Sequence, residues 1–272
     1  MTLLRRHYIV PSEHGAWIWW IGPLLIGWAA AGVSSPDVLL LAVAALAGFL
    51  LRQPATILAK IRTGRRDRRE LRPAALWLAL DLAFLGLTTA ALVARGHGVI
   101  LMLAVPGVAV FAWHLWLIGR REERGQMGVE IVGAGVLALA APAAYWVAGG
   151  LSPSLPWLLW LLCWLQSAAS IVLVYFRLAY RKLEAVPSLD ERLRDGRRAL
   201  AYNGFNAVLA SALALAGAVP PLVASAFLLM LLDTIGAVAR PPLGHPPTRI
   251  GVRQLAASFL FVALCVLGFL TF

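Results

Sequence analysis

The chain has 272 residues, of which 61% are hydrophobic and 14% are charged, and its mean hydropathy is +0.80. A soluble domain carries about 25% charged residues, so this composition excludes a cytosolic or disordered protein and indicates an integral membrane protein. The formal net charge of +11 is explained by basic loops at a membrane surface, and no nucleic-acid partner is expected.

Apolar segments follow one another along the whole chain, and a helix needs about 20 such residues to cross the hydrocarbon core. In chain order the candidates are about 15–33, 37–59, 73–94, 98–118, 127–149, 155–176, 199–217, 221–239 and 252–271. The longest predicted connector runs for about 22 residues, from Arg177 to Arg198, which leaves no room for a soluble domain. The prediction is one all-α transmembrane domain over residues 1–272, a polytopic bundle of about nine helices.

Lysine and arginine are distributed unevenly between the two sides of this bundle. With nine spans, 22 of the 24 fall in the N-terminal segment and in the loops after spans 2, 4, 6 and 8. Basic loops stay in the cytoplasm, so the N-terminus is expected inside and the C-terminus outside a bacterial cytoplasmic membrane. The same loops are expected to contact anionic lipid head groups.

Ionisable side chains within the spans are functional candidates, because each costs about 2.5–3.5 kcal/mol to insert. They are Arg52, Asp81, His114, Glu130 and Asp233, and all five fall in the cytoplasmic half of the predicted bundle. This asymmetry favours a polar cavity that opens to the cytoplasm. The alternative is that some of them pair only to orient the helices, as Arg52 would with Glu130 or Asp81.

Arg52 is the strongest candidate for contact with a ligand. It precedes Gln53 and Pro54, and a proline inside a helix frees a backbone carbonyl, which membranes tolerate where it lines a cavity. Together with Lys60 and Arg62, it forms a row of cations that descends toward the cytoplasm. A guanidinium in such a row can hold a phosphate or a carboxylate through two hydrogen bonds.

Further candidates stand at the ends of the spans. Glu13 and His14 open the first span, where a histidine suits an anion, a proton or a metal, although a structural role is the more common one. Tyr175 and Asn203 flank the loop between spans 6 and 7. The predicted ligand-binding residues are therefore Arg52, His14, Glu13, Lys60, Arg62, Glu130, Asp81, Tyr175 and Asn203.

Two short motifs carry a resemblance to a known family. The first span opens with Pro11-Ser-Glu-His-Gly-Ala-Trp17, and the last one opens with Thr248-Arg-Ile-Gly-Val-Arg253. With Glu130 in span 5 after a basic loop, these motifs resemble the YwiC-like family of bacterial membrane proteins over the whole length. This resemblance implies a membrane protein and no particular chemistry.

The predicted topology is also similar to that of the UbiA-type intramembrane prenyltransferases, in which two helical halves surround a cavity open to the cytoplasm. Arg69-x-x-Arg72-Pro73 and Asp190-x-x-x-x-Asp195 look like remnants of that pattern. That family holds Mg²⁺ and diphosphate through an aspartate cluster at the inner end of span 2, where Arg52 to Arg62 here contains no carboxylate. No Mg²⁺ or other cofactor is therefore expected, because Mg²⁺ is bound through carboxylates. The resemblance implies an isoprenoid or phosphorylated lipid, held by arginine and lysine.

Three functions stay open from the sequence. The first is a UbiA-like binder or transferase for a prenyl phosphate or another lipid-linked anion. The second is a transporter for a small solute or anion, which predicts discontinuous helices in both halves, where the sequence offers Pro54 and, more weakly, Pro142. The third is a non-catalytic membrane assembly factor whose intramembrane charges hold the helices together. The sequence does not decide whether the protein is an enzyme.

Overall fold

The computed structural model describes residues 6–9, 17–33, 35–122 and 126–272, and the regular structure in these ranges is helical. The helices are α1 (Arg6–Ile9), α2 (Ile18–Ala31), α3 (Asp37–Arg62), α4 (Leu71–Ala94), α5 (Val99–Arg120), α6 (Met127–Leu137), α7 (Ala140–Val147), α8 (Leu155–Tyr180), α9 (Leu189–Leu215), α10 (Pro221–Ala239) and α11 (Pro247–Thr271). One turn of 3₁₀ helix, Arg68–Glu70, precedes α4. The prediction of an all-α helical bundle is confirmed.

Seven segments of the described chain are long and apolar enough to cross a membrane: α3, α4 with its preceding turn, α5, α6 together with α7, α8, α10 and α11. The helix α2 is apolar but has only 14 residues. The helix α9 has 27 residues, but its first ten include seven charged side chains. These two helices coincide with the first and seventh predicted spans. The protein is therefore a multi-pass membrane protein, and the count of nine spans stays a prediction.

The fifth predicted span consists of two helices, α6 and α7, which meet at Ala138 and Leu139. Pro142 explains this break, because it has no N–H to bond to the carbonyl of Ala138 and its ring crowds that carbonyl. By contrast, α3 runs through Pro54 without interruption. The broken helix is thus the one that contains Pro142, whereas the sequence pointed more strongly to Pro54.

The segment between α8 and α9 is shorter than predicted. α8 continues to Tyr180 and α9 begins at Leu189, so the connector spans residues 181–188, and the prediction of a 22-residue loop is wrong. Ser188 caps α9: its hydroxyl accepts the backbone N–H of Glu191, whose carboxylate accepts the backbone N–H of Ser188. This capping box starts the helix in polar sequence, before the apolar span, and holds the charged residues that follow in fixed positions.

The short helix α2 packs between two hydrophobic cores. One core joins α2 to α8, α10 and α11, and the other joins it to α3, α5 and α7. Gly27 allows this position, since a Cβ atom there would lie 2.0 Å from the carbonyl oxygen of Ala141 in α7. Small residues permit such close approach between helices in a membrane.

The outward faces of α4 and α5 are apolar. Phe84 and Leu87 of α4 and Met102, Val105 and Val108 of α5 each expose more than half of their surface. Exposure of such an apolar surface to water is unfavourable by about 25 cal/mol of free energy per Å². These faces therefore suit contact with lipid chains.

Candidate functional site

The cations predicted on α3 follow one another along its second half. Arg52 is half-buried, and its guanidinium carbon lies 5.9 Å from the centre of the Phe49 ring, a distance that suits a cation–π contact. The Phe49 ring packs edge-on against Trp17, with 5.0 Å between the ring centres. Lys60 is half-buried and Arg62 is exposed at the end of the helix. Arg52 thus lies along an aromatic wall, and the other two cations lead from it to the helix end.

Asp81 is buried in α4, which packs against α3. A Cβ atom at Gly48 would lie 3.9 Å from Leu85 across this contact. Arg52 is one turn from Gly48 on α3, and Asp81 is one turn from Leu85 on α4. Because the two helices are antiparallel, Arg52 and Asp81 lie at about the same depth. The predicted interaction of Arg52 with an acid stays a prediction.

The structure says less about the predicted roles of Asn203, Glu13 and His14. Asn203 is buried, and its Nδ2 donates to the backbone carbonyl of Ala199 in the same helix, at 3.0 Å. This bond is local to α9. Glu13 and His14 lie outside the described residues, so their predicted role stays a prediction.

A hydrogen bond joins two of the predicted residues. The hydroxyl of Tyr175 in α8 donates to Oε1 of Glu130 in α6, at 2.9 Å. The same two helices are also linked by Nε1 of Trp164, which donates to the carbonyl of Ile131 at 2.8 Å. Tyr175 is therefore held in place at the junction of α6 and α8.

Beside Tyr175 lies an open cleft of about 350 Å³, between the end of α8, the first turns of α9 and the start of α6. One wall is apolar, and the other carries three arginines and one aspartate. The lining residues are Met127, Val172, Tyr175, Phe176, Arg194, Asp195, Arg197, Arg198 and Ala199. Small-molecule sites have volumes of about 300–1,000 Å³, so the cleft has room for a polar head group and the start of a chain.

Three arginines reach the cleft because of their spacing on α9. Arg194, Arg197 and Arg198 are three and four residues apart, so they share one face of the helix. At Gly196 of the same helix, a Cβ atom would lie 2.6 Å from Cγ2 of Val238 in α10. This close packing fixes how α9 is rotated. From the sequence the three arginines are loop charges, because the predicted span begins only at residue 199.

Tyrosine hydroxyls bind the carboxylates near this cleft. The hydroxyl of Tyr180 donates to Oδ2 of Asp195 at 2.9 Å, as that of Tyr175 does to Glu130. Three arginines and one aspartate give the cleft lining a formal charge of +2. Its chemistry therefore suits an anion attached to an apolar group.

A second polar cluster lies where α8, α10 and α11 meet. Nη2 of the buried Arg177 is 2.7 Å from Oδ2 of Asp233, and Nη2 of Arg253 is 2.7 Å from Oδ1 of the same carboxylate. Arg177 also donates to Oε1 of Gln254 at 3.0 Å, and Nε2 of Gln254 donates to the hydroxyl of Ser170 at 2.6 Å. This network ties three helices together by charge and hydrogen bonding.

The sequence analysis named Arg177 and Asp233 but did not pair them. The pairing of Asp233 with Arg253 was hidden by the predicted start of the last span at residue 252. In the structure, Asp233 is six residues before the end of α10 and Arg253 is six residues after the start of α11. In adjacent antiparallel helices, both positions lie about 9 Å from the helix ends. Equal depth and opposite charge predict an ion pair.

Within the described ranges, no group of three or more His, Cys, Asp or Glu side chains is placed to hold a metal ion. The segment of α3 from Arg52 to Arg62 has no carboxylate, so these residues do not fit Mg²⁺. The expected lack of a cofactor stays a prediction.

The apolar helices define a multi-pass membrane protein. The chain is similar to the solved structure of digeranylgeranylglyceryl phosphate synthase, a UbiA-type prenyltransferase, with a TM-score of 0.58. The match covers 93% of this chain and 94% of that chain at 11% sequence identity, so it shows the fold alone. The predicted UbiA-like arrangement is confirmed.

The family is shown by a separate comparison. The family model described as YwiC-like protein matches residues 10–145, which is half of the chain. The protein belongs to the YwiC-like family, as predicted. The match includes the first motif and Glu130. The motif at Thr248 to Arg253 lies beyond it, so the resemblance over the whole length stays a prediction. Comparison with curated protein sequences gives no match. Membership of the family leaves the activity to be argued from the site.

Proposed function

We propose that the protein binds a lipid-linked anion, such as a prenyl phosphate or a quinone precursor, in a UbiA-like cavity. The observation that carries this proposal is the cleft of about 350 Å³, where three arginines face an apolar wall. Guanidinium groups hold phosphate or carboxylate oxygens through paired hydrogen bonds. An apolar wall removes an isoprenoid chain from water, which is favourable.

The fold and the charge distribution support this proposal. The structural relative is named for a digeranylgeranylglyceryl phosphate, and we carry that class of lipid over to this chain as a proposal. We also propose that the cleft opens to the cytoplasm, with the N-terminus inside and the C-terminus outside a bacterial cytoplasmic membrane. The support is that, with the nine predicted spans, 22 of the 24 lysines and arginines would fall on the side that holds the cleft.

The cations of α3 belong to the same proposal. Arg52, Lys60 and Arg62 descend to the end of α3, which would lie on the same side of the membrane as the arginines of α9. We propose that both groups border one cavity. The rest of the predicted ligand-binding set is Glu13, His14, Asp81, Glu130, Tyr175 and Asn203.

Binding suits these residues better than ionisation of a diphosphate assisted by Mg²⁺. The carboxylates that would bridge Mg²⁺ are absent from Arg52 to Arg62. The proposal therefore includes no catalytic step, and it leaves open whether the protein is an enzyme.

The structure also bears on the two other functions that the sequence left open, an assembly factor and a transporter. The network of Arg177, Asp233 and Arg253 favours an assembly factor as the second candidate, because it engages these charges within the protein. For a transporter, inverted repeats predict a broken helix in each half. In the part of the chain that the structure describes, one span is discontinuous, the one formed by α6 and α7.

Mass spectrometry of lipids extracted from the purified protein tests the proposed function. We expect a phosphorylated isoprenoid lipid to be enriched above its share in the source membrane. An unrelated multi-pass protein purified in the same detergent is the control. Bulk phospholipids in the proportions of the membrane, with no enrichment over this control, would contradict the proposal.

A further inference from the structure

We infer that the cleft binds the phosphomonoester of its lipid directly through arginine side chains, with no divalent cation. This inference rests on the proposed function and names the chemistry of the head group. The formal charge of the cleft lining is +2, from three arginines and Asp195. A phosphomonoester carries about −1.5 to −2 at neutral pH, so the two charges balance without a metal ion.

The arrangement of the arginines suits a phosphate group. Arg194, Arg197 and Arg198 share one face of α9 over a single turn, and all three line the cleft. Each group presents a fork of N–H donors that matches two oxygens of a phosphate. Several such donors can replace the hydrogen bonds from water that a phosphomonoester loses when it enters the cleft.

In the described residues, the carboxylates near the cleft are not part of a group of three or more side chains that could hold Mg²⁺. Asp195 accepts a hydrogen bond from the hydroxyl of Tyr180, and Glu130 accepts one from Tyr175, both at 2.9 Å. Asp195 is the acidic residue in the lining, and it stands among three arginines that repel a cation. Mg²⁺ is normally held through carboxylates, so the site favours the phosphate itself over a metal complex.

The apolar part of the lining favours a phosphate that is attached to a lipid. Val172, Phe176 and Ala199 line the cleft and belong to a hydrophobic core cluster, against which Met127 packs. Inorganic phosphate gains nothing from such a wall, whereas a hydrocarbon chain does. The volume of about 350 Å³ also exceeds what a phosphate group alone would fill.

Geranyl monophosphate, a short and soluble probe, tests the inference by calorimetric titration of the purified full-length protein. We expect the same Kd in excess EDTA and in excess Mg²⁺. A Kd at least about tenfold weaker in EDTA would overturn metal-free binding.

We expect inorganic phosphate to bind at least about tenfold more weakly than geranyl monophosphate, since it lacks the chain. Equal affinity for the two probes would assign the cleft to free phosphate and overturn the inference.

Substitutions in the cleft test which residues hold the phosphate. Arg197→Ala is expected to weaken binding of geranyl monophosphate about tenfold or more, and Arg197→Lys less, since a point charge replaces the fork. Arg240→Ala is the matched control, because Arg240 is exposed and lies outside the cleft lining. Both arginines are on the surface, so size-exclusion profiles should match the wild type. An unchanged Kd in Arg197→Ala and in the double variant Arg194→Ala/Arg198→Ala would overturn the inference.

The two proposals fail in different ways. If the wild-type protein binds no geranyl monophosphate in either buffer, this inference is overturned, and the lipid mass spectrometry decides whether the proposed function stands. If binding requires Mg²⁺ or ignores the arginines of α9, only the inference is overturned.

Discussion

Arg177 and Asp233 form a buried ion pair between α8 and α10, with 2.7 Å between Nη2 and Oδ2. The side chain of Arg177 is only 2% exposed, and Arg253 of α11 binds the other oxygen of the same carboxylate. A buried charge without a partner is costly, so each of these helices is constrained by the other two. The core of the second half of the bundle is thus held by a charge network as well as by apolar packing.

Removal of the shared carboxylate should be more harmful than removal of the outer arginine. We expect Asp233→Asn to destabilise the protein by about 3–5 kcal/mol, because it leaves Arg177 buried without a counter-charge. Arg253→Gln should cost less, since the side chain of Arg253 is 55% exposed. A thiol-reactive dye followed during heating measures this, because Cys163 and Cys265 are free and buried in the folded protein. Equal losses of Tm in the two variants would contradict the account.

The packing of α9 against α10 is tested by two glycines of the same helix. Gly196→Ala should destabilise the protein by about 1–3 kcal/mol, because the new Cβ would lie 2.6 Å from Cγ2 of Val238. Gly204→Ala is the control and should be neutral or stabilising by up to about 1 kcal/mol, since no atom lies within 4 Å of its Cβ. The same dye assay gives both Tm values. Similar values for the two variants would show that Gly196 does not set this contact.

Hydropathy predicted the positions of the apolar helices in the second half of the chain. The spans predicted at 221–239 and 252–271 correspond to α10 (Pro221–Ala239) and α11 (Pro247–Thr271), because an apolar segment in lipid must satisfy its backbone hydrogen bonds internally. The same argument does not locate α9, whose first turns are charged and whose start is set by the capping box at Ser188. The arginine face of the cleft depends on that start.

Pairing between helices was harder to predict than their positions. Arg177 and Asp233 are 56 residues apart, and only the packing of α8 beside α10 brings them together. Glu130 was named as an intramembrane acid, but its contact with Tyr175 depends on how α6 is rotated against α8. Hydrophobic pattern gives each helix its membrane depth, and side-chain packing decides its neighbours and rotation.

The nine-span topology predicts opposite locations for the two chain ends. A reporter enzyme that is active only outside the cytoplasm should be active when fused after Phe272 and inactive when fused before Met1. The reason is the charge bias, which places 22 of the 24 basic residues on one side. A fusion after Phe272 that reports a cytoplasmic location would contradict the number of spans or their orientation.

Substitution of Arg52 tests whether this residue binds a ligand or has a purely structural role. If it contacts the ligand, Arg52→Ala should lose the co-purified lipid while the protein stays folded in the membrane, and Arg52→Lys should rescue only part of the loss. Lys182→Ala, at an exposed position outside the cleft, is the control. Lipid content and size-exclusion behaviour are measured on each variant. Normal lipid retention in a folded Arg52→Ala protein would end the case for this residue, and a loss of folding would favour the assembly factor.

The central claim is that the protein recognises a lipid through its attached phosphate. The most direct test is to measure the Kd of geranyl monophosphate and of geraniol, side by side, on the wild-type protein in the same detergent. The two probes share the isoprenoid chain and differ in the phosphate. Our account predicts that geranyl monophosphate binds at least about tenfold more tightly, because charge-assisted hydrogen bonds to guanidinium groups are lost with geraniol. Equal affinity for the two probes, or no binding of either, would contradict it.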